Sequence, residues 1–89
     1  MRVYLVRHAA VSSRYEGKYN GWIDVAIDPN RFEPKSPIEA LSGVGFAAVY
    51  SSDLSRCVET ANILGYSPVS DTRLREKSFG RGEGLGYDE

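Results

Sequence analysis

Two apolar runs, Val3-Tyr4-Leu5-Val6 and Phe46-Ala47-Ala48-Val49-Tyr50, each break off at polar residues: Arg7-His8 after the first, Ser51-Ser52-Asp53 after the second. Unbroken stretches of this kind, rich in β-branched and aromatic side chains, are how strands buried on both faces of a parallel sheet read. In open α/β sheets ligands bind beyond the carboxyl ends of the strands. The two strand ends therefore nominate one shared site. The clearest helix follows at once, from Leu54 to Leu64: Leu54, Cys57, Val58, Ala61 and Leu64 recur on one face, and Asp53 is a suitable N-cap. Gly65 supplies a left-handed stop, so a strand-turn-helix unit is predicted from Phe46 to Gly65.

The segment from 11 to 45 reads as loop, because Pro29, Pro34 and Pro37 forbid one long helix. A short helix is predicted from Ser36, where Ser36-Pro37-Ile38-Glu39 forms a capping box with proline at the first helical position. Gly43 ends it after less than two turns. Beyond Gly65 come a Pro68-containing link, an extended piece around Val69 to Leu74, and Gly80 to Gly86, where alternate residues are glycine. That last stretch reads as a flexible active-site loop. Tyr87-Asp88-Glu89 read like the first turn of something that continues.

Composition excludes several classes. With eleven basic and twelve acidic residues the formal charge is −1, so no field attracts a polyanion, and a nucleic-acid partner is not expected. The N-terminal apolar run is far too short to span a membrane and lacks a small-residue cleavage pattern. A single cysteine, Cys57, builds no internal disulfide framework, which suits a reducing compartment; a cytoplasmic location is expected. No spacing of His, Cys, Asp and Glu makes a metal site, and no cofactor is called for.

His8 is the only histidine. A lone histidine is commonly structural, but its neighbours alter the reading. Arg7 offers a planar fork suited to phosphate oxygens. Arg56, in the first turn of the predicted helix, can face the same anion together with the free N–H groups there. Ser51 and Ser52 can add donors. Two arginines from separate strand ends plus one imidazole suit phosphoryl transfer to histidine, with the ring nitrogen attacking phosphorus and the arginines holding the equatorial oxygens. A cysteine-based phosphatase is excluded, since its loop needs arginine six positions after the cysteine and position 63 is isoleucine. Cys57 is expected in the core. The glycine-rich stretch lacks the Gly-Lys-Ser/Thr ending of a P-loop.

Three ordered blocks carry a family resemblance. Leu5-Val6-Arg7-His8-Ala9 resembles the Leu-x-Arg-His-Gly signature of the histidine phosphatase superfamily (phosphoglycerate-mutase-like). Tyr50-Ser51-Ser52-Asp53-Leu54-Ser55-Arg56-Cys57-Val58-Glu59-Thr60-Ala61 is similar to its second block. Leu74-Arg75-Glu76-Lys77-Ser78-Phe79-Gly80-Arg81-Gly82-Glu83-Gly84 is similar to its third. Gly21-Trp22-Ile23-Asp24 sits where members carry Gly-x-x-Asp. The resemblance implies an α/β fold, a partial doubly wound, mostly parallel sheet with flanking helices, truncated relative to the phosphoglycerate-mutase-like fold. Residues 1–89 would be the N-terminal portion of a single domain. It further implies that His8 becomes phosphorylated, that Arg7 and Arg56 hold the phosphate, and that Glu76 is the general acid that later activates water. Asn20 lies near the family's phosphate-contacting asparagine.

The chain departs from the pattern in three places. Ala9 replaces the glycine after the histidine, which fits unless that backbone needs a positive φ. Gly82 replaces a tryptophan. The family's second catalytic histidine, carried on a later strand, has no counterpart, which implies a fragment, a truncation or a degenerate member. The expected activity is hydrolysis of a small phosphorylated metabolite through phosphohistidine. A phosphoglycerate-mutase-type phosphotransferase and an inactive relict of the phosphate pocket stay open. Self-association through an exposed sheet edge is the expected consequence of an incomplete sheet.

Overall fold

The computed structural model describes residues 2–15 and 17–86; Tyr87-Asp88-Glu89, read above as a continuing turn, lie outside them. Four regular elements carry the architecture: α1 (Lys35–Leu41), β1 (Tyr50–Ser51), α2 (Ser55–Ile63) and β2 (Val69–Ser70). Short 3-10 turns occupy Ser13–Tyr15, Pro29–Arg31, Thr72–Leu74 and Gly80–Gly82. Strands β1 and β2 pair in parallel with Tyr50 opposite Val69 and Ser51 opposite Ser70. Parallel neighbours need a crossover, and α2 supplies it. Among the described residues no helix is long and apolar enough to cross a membrane.

The strand-turn-helix unit forms, shorter than predicted. Only Tyr50–Ser51 of the second apolar run is regular strand. The stop at Gly65 is a complete Schellman motif: Gly65 takes φ 95°, its N–H donates to Asn62 O, and Tyr66 N–H donates to Ala61 O. The start differs from expectation. Leu54 is the N-cap of α2 and Asp53 does not cap it. Instead Asp24, from a distant loop, accepts from Ser55 N–H at 2.7 Å and from Ser55 Oγ at 3.0 Å. Asp53 is engaged elsewhere, with Arg75. Helix α1 likewise begins two residues early, with Pro34 rather than Ser36 as its N-cap and no side-chain capping bond from it.

The first apolar run is the main departure. Val3–Val6 forms no regular strand, and Leu5 is 93 % exposed. Among the described residues no strand pairs with it, and its faces are only partly covered. Tyr4 packs edge-on against Phe46, which in turn meets Tyr66. The following segment is held well: Asp28 N–H donates to Ala10 O, Ser12 N–H donates to Ala26 O, and Val11 bridges Ile27 antiparallel. The core sits here, with Ala9, Val25, Ile27 and Leu54 buried. Ala9, the neighbour of His8, is part of it.

Candidate active site

Helix α2 buries polar side chains more completely than its apolar stripe. Arg56 is 2 % exposed and Thr60, one turn later, is 4 % exposed, whereas Cys57, Val58, Ala61 and Leu64 are half-buried. Burying a guanidinium costs several kcal/mol unless its donors are satisfied. Here Nη1 donates to Ile23 O at 2.8 Å, and Nη2 donates to Asn20 O at 2.9 Å and Gly21 O at 2.6 Å. Of the five donors of arginine, these three bonds engage one Nη1–H and both Nη2–H, and among the described residues none is shown for Nε–H or the second Nη1–H; Arg56 also lines the cavity described next. Arg56 therefore builds the wall of the site as well as facing it.

Thr60 ties this helix to the His8 turn. Its Oγ1 donates to Arg56 O at 2.6 Å and accepts from Ala9 N–H at 2.9 Å. Ala9 is buried, and no described non-glycine residue has a positive φ, so the alanine in place of glycine is accommodated without backbone strain. The imidazole of His8 is oriented by the same residue: Nδ1 lies 2.7 Å from Ala9 O. A carbonyl oxygen can only accept, so the contact places the proton on Nδ1 and leaves the Nε2 lone pair unshared.

A cavity of about 490 Å³, within the usual range for small-molecule sites, is lined by Arg7, His8, Asn20, Arg56 and Glu76, with Tyr15, Lys18, Tyr19 and Phe79. The five residues to which the family resemblance assigns roles all line this one space, whereas Ser51 and Ser52 do not. Asn20 Nδ2 donates to Tyr15 O at 2.9 Å, and its buried Oδ1 has no partner among the described residues. Glu76 is exposed, and its Oε1 accepts from Lys77 N–H at 2.8 Å. A second cavity of about 310 Å³ on another side of His8 includes Ser52, Cys57, Arg75 and Glu76. Cys57 is thus half-buried at a cavity wall, not sealed in the core as expected. Ser51 and Ser52 serve the turn: Ser51 Oγ donates to Ser52 O, and Ser52 Oγ accepts from Leu54 N–H.

Residues without an assigned role in the sequence reading hold the site together. Glu83 accepts from Gly21 N–H at 2.8 Å and from Trp22 N–H. Burial works to raise the Glu83 carboxyl, but the N–H groups of Trp22, Gly21, Phe79 and Ile23 outweigh it and hold the group below its ordinary value. The stretch from Gly80 to Gly86, predicted as a flexible loop, is therefore tied down by Glu83 and by the bridge of Gly86 to Lys18. Arg75 forks Asp53 with bonds of 2.7 and 2.6 Å, and the Arg75 side-chain hydrogen bond is the main reason the Asp53 carboxyl lies below its ordinary value. Asp24, Glu83 and Thr60 each fall inside a family-like segment, but nothing local in the sequence marks their distant partners. Among the described residues no group of three or more His, Cys, Asp or Glu could hold a metal.

The histidine phosphatase superfamily (branch 1) is matched over residues 3–89. The chain belongs to that superfamily. Phosphoglycerate mutase-like protein 4 of Arabidopsis thaliana is 36 % identical over 94 residues, covering 98 % of this chain and 41 % of that protein. A Hydrogenobacter thermophilus protein named "Putative phosphoserine phosphatase 2" is 35 % identical over 88 residues, covering 93 % and 43 %. Among solved structures, Bacillus stearothermophilus YhfR aligns with a TM-score of 0.78 at 32 % identity, covering 93 % of this chain and 44 % of that one. The phosphoglycerate mutase from Thermus thermophilus aligns with a TM-score of 0.72 at 31 % identity, covering 92 % and 47 %. This histidine phosphatase chain thus has the phosphoglycerate-mutase-like α/β fold over less than half the length of these relatives.

Proposed function

We propose that the chain carries the nucleophile's part of a phosphohistidine site in a phosphoric monoester hydrolase acting on a small phosphorylated metabolite. The observation that carries this reading is the His8 Nδ1 contact with Ala9 O, which leaves Nε2 as the nucleophile at a cavity also lined by Arg7 and Arg56. In the first half-reaction Nε2 attacks phosphorus, the phosphorus–oxygen bond to the leaving group breaks, and the Glu76 carboxyl protonates the departing oxygen. Arg7 and the remaining donors of Arg56 hold the equatorial phosphate oxygens, with Asn20 beside them. In the second half-reaction Glu76 takes a proton from water, which attacks phosphorus and breaks the phosphorus–nitrogen bond.

A mutase-type reading, in which a bound phosphoglycerate takes the phosphoryl group back, is favoured by the names of several relatives. The Leu74-Arg75-Glu76 block with Phe79-Gly80 and Glu83-Gly84 inclines the reading toward hydrolysis. The protein at its natural length should hydrolyse p-nitrophenyl phosphate and lose that activity in His8→Ala. Isomerisation of phosphoglycerate far exceeding its hydrolysis would favour the mutase. An intact fold with neither activity would favour the inactive relict.

A further inference from the structure

Glu76 sits exposed in a coil between two cations, and within its own segment its carboxylate is met by the Lys77 N–H. Its main chain is held from further away. The indole Nε1–H of Trp22 donates to Glu76 O at 2.9 Å. The Arg75 guanidinium lies 5.0 Å from the centre of the Trp22 ring, within cation–π range. Arg75 is itself fixed by its fork onto Asp53, at the end of β1. The Trp22 main chain is anchored from the other side by the Glu83 carboxylate. The indole is therefore located at its backbone, on one face and at its single polar atom.

From this array we infer that Trp22 is a positioning residue for Glu76: its N–H and the Asp53-held Arg75 set where the Glu76 carboxyl stands relative to His8. The inference rests on the reading of Glu76 as the general acid. A tryptophan that merely covers surface would affect all substrates alike. One that places an acid discriminates between leaving groups in the first half-reaction. Because Glu76 also activates water in the second, which all substrates share, kcat/KM, which reports only the first, is the quantity compared.

The test compares p-nitrophenyl phosphate, whose leaving group departs without protonation, with an alkyl phosphate such as glycerol phosphate, whose leaving group does not. General acids contribute roughly 10²- to 10⁴-fold, so partial misplacement should remove about tenfold. In Trp22→Phe, kcat/KM for the alkyl ester should fall about tenfold and that for the aryl ester less than about threefold. Replacing Trp22 by benzothienylalanine, which keeps the bicyclic ring but has sulfur in place of N–H, should give the same split and guards against a folding defect in the phenylalanine variant. Arg73→Ala, which removes an ion pair whose arginine side chain is 87 % exposed, should leave both rates unchanged. Equal falls in kcat/KM for the two esters, or no fall, overturn the inference. Glu76→Gln tests the reading beneath it independently: the same leaving-group split, larger, supports the acid role. If Glu76→Gln slows neither ester, or the natural-length protein turns over neither, the acid role fails and the inference falls with it.

Discussion

The Ala9 N–H donates to Thr60 Oγ1 across 2.9 Å, joining the turn that carries His8 to the middle of α2. Because Thr60 Oγ1 also donates to Arg56 O, a single hydroxyl couples the candidate nucleophile's backbone to that of the buried arginine. Thr60→Val leaves a buried N–H unsatisfied and should cost about 1–3 kcal/mol in urea unfolding. Thr60→Ser, which keeps the hydroxyl, should lose much less. Equal losses in the two variants would mean that the hydroxyl bond is not what holds the turn.

Arg56→Lys should be severe despite conserving charge. An ammonium on a flexible stem cannot reproduce a planar fork reaching Ile23 O, Asn20 O and Gly21 O together. Each bond not remade costs about 1.5–3 kcal/mol. The thermal midpoint and inorganic phosphate affinity should both fall. A lysine variant of unchanged midpoint would show that the three carbonyl contacts contribute little.

Gly21 is required by space. A Cβ there would lie 2.1 Å from Lys77 O, a main-chain atom, as well as close to Phe79 and Glu83. Gly21→Ala should therefore destabilise by about 1–3 kcal/mol or more and loosen the loop whose carbonyls hold Arg56. A melt matching the parent protein would contradict this packing.

The depressed Glu83 carboxyl gives an acid-side signature. Its folded-state value lies below its ordinary one, so its contribution is full above the ordinary carboxylate value and is lost as pH falls through the lower folded value. Urea midpoints should fall as pH drops below the ordinary carboxylate range. Glu83→Gln should be less stable at neutral pH and show a shallower acid limb. A variant with the parent's acid slope would assign that slope to other carboxylates.

Sequence pattern anticipated which residues share a cavity better than it anticipated burial. Arg7, His8, Arg56 and Glu76 line one space, and their grouping was legible because ordered blocks mark positions where a backbone delivers side chains to one edge. The Gly65 stop was legible because its αL geometry is local. Asp24 capping α2 in place of Asp53 was not, since the two partners are 31 positions apart and only the folded loop brings them together. Nor did periodicity reveal that Arg56 and Thr60 would be the most buried residues of α2. An apolar stripe predicts which face seeks the core, but three carbonyls and one buried N–H can draw a polar face inward. Val3–Val6 reads as buried only when strands flank it, and a single run carries no information about its neighbours.

The central claim is that His8 is the nucleophile. Natural-length protein quenched in base during turnover of p-nitrophenyl phosphate should carry an acid-labile, base-stable phosphoryl group on His8, and His8→Ala should carry none. An active protein with no label on His8, or with the label on another residue, would contradict it.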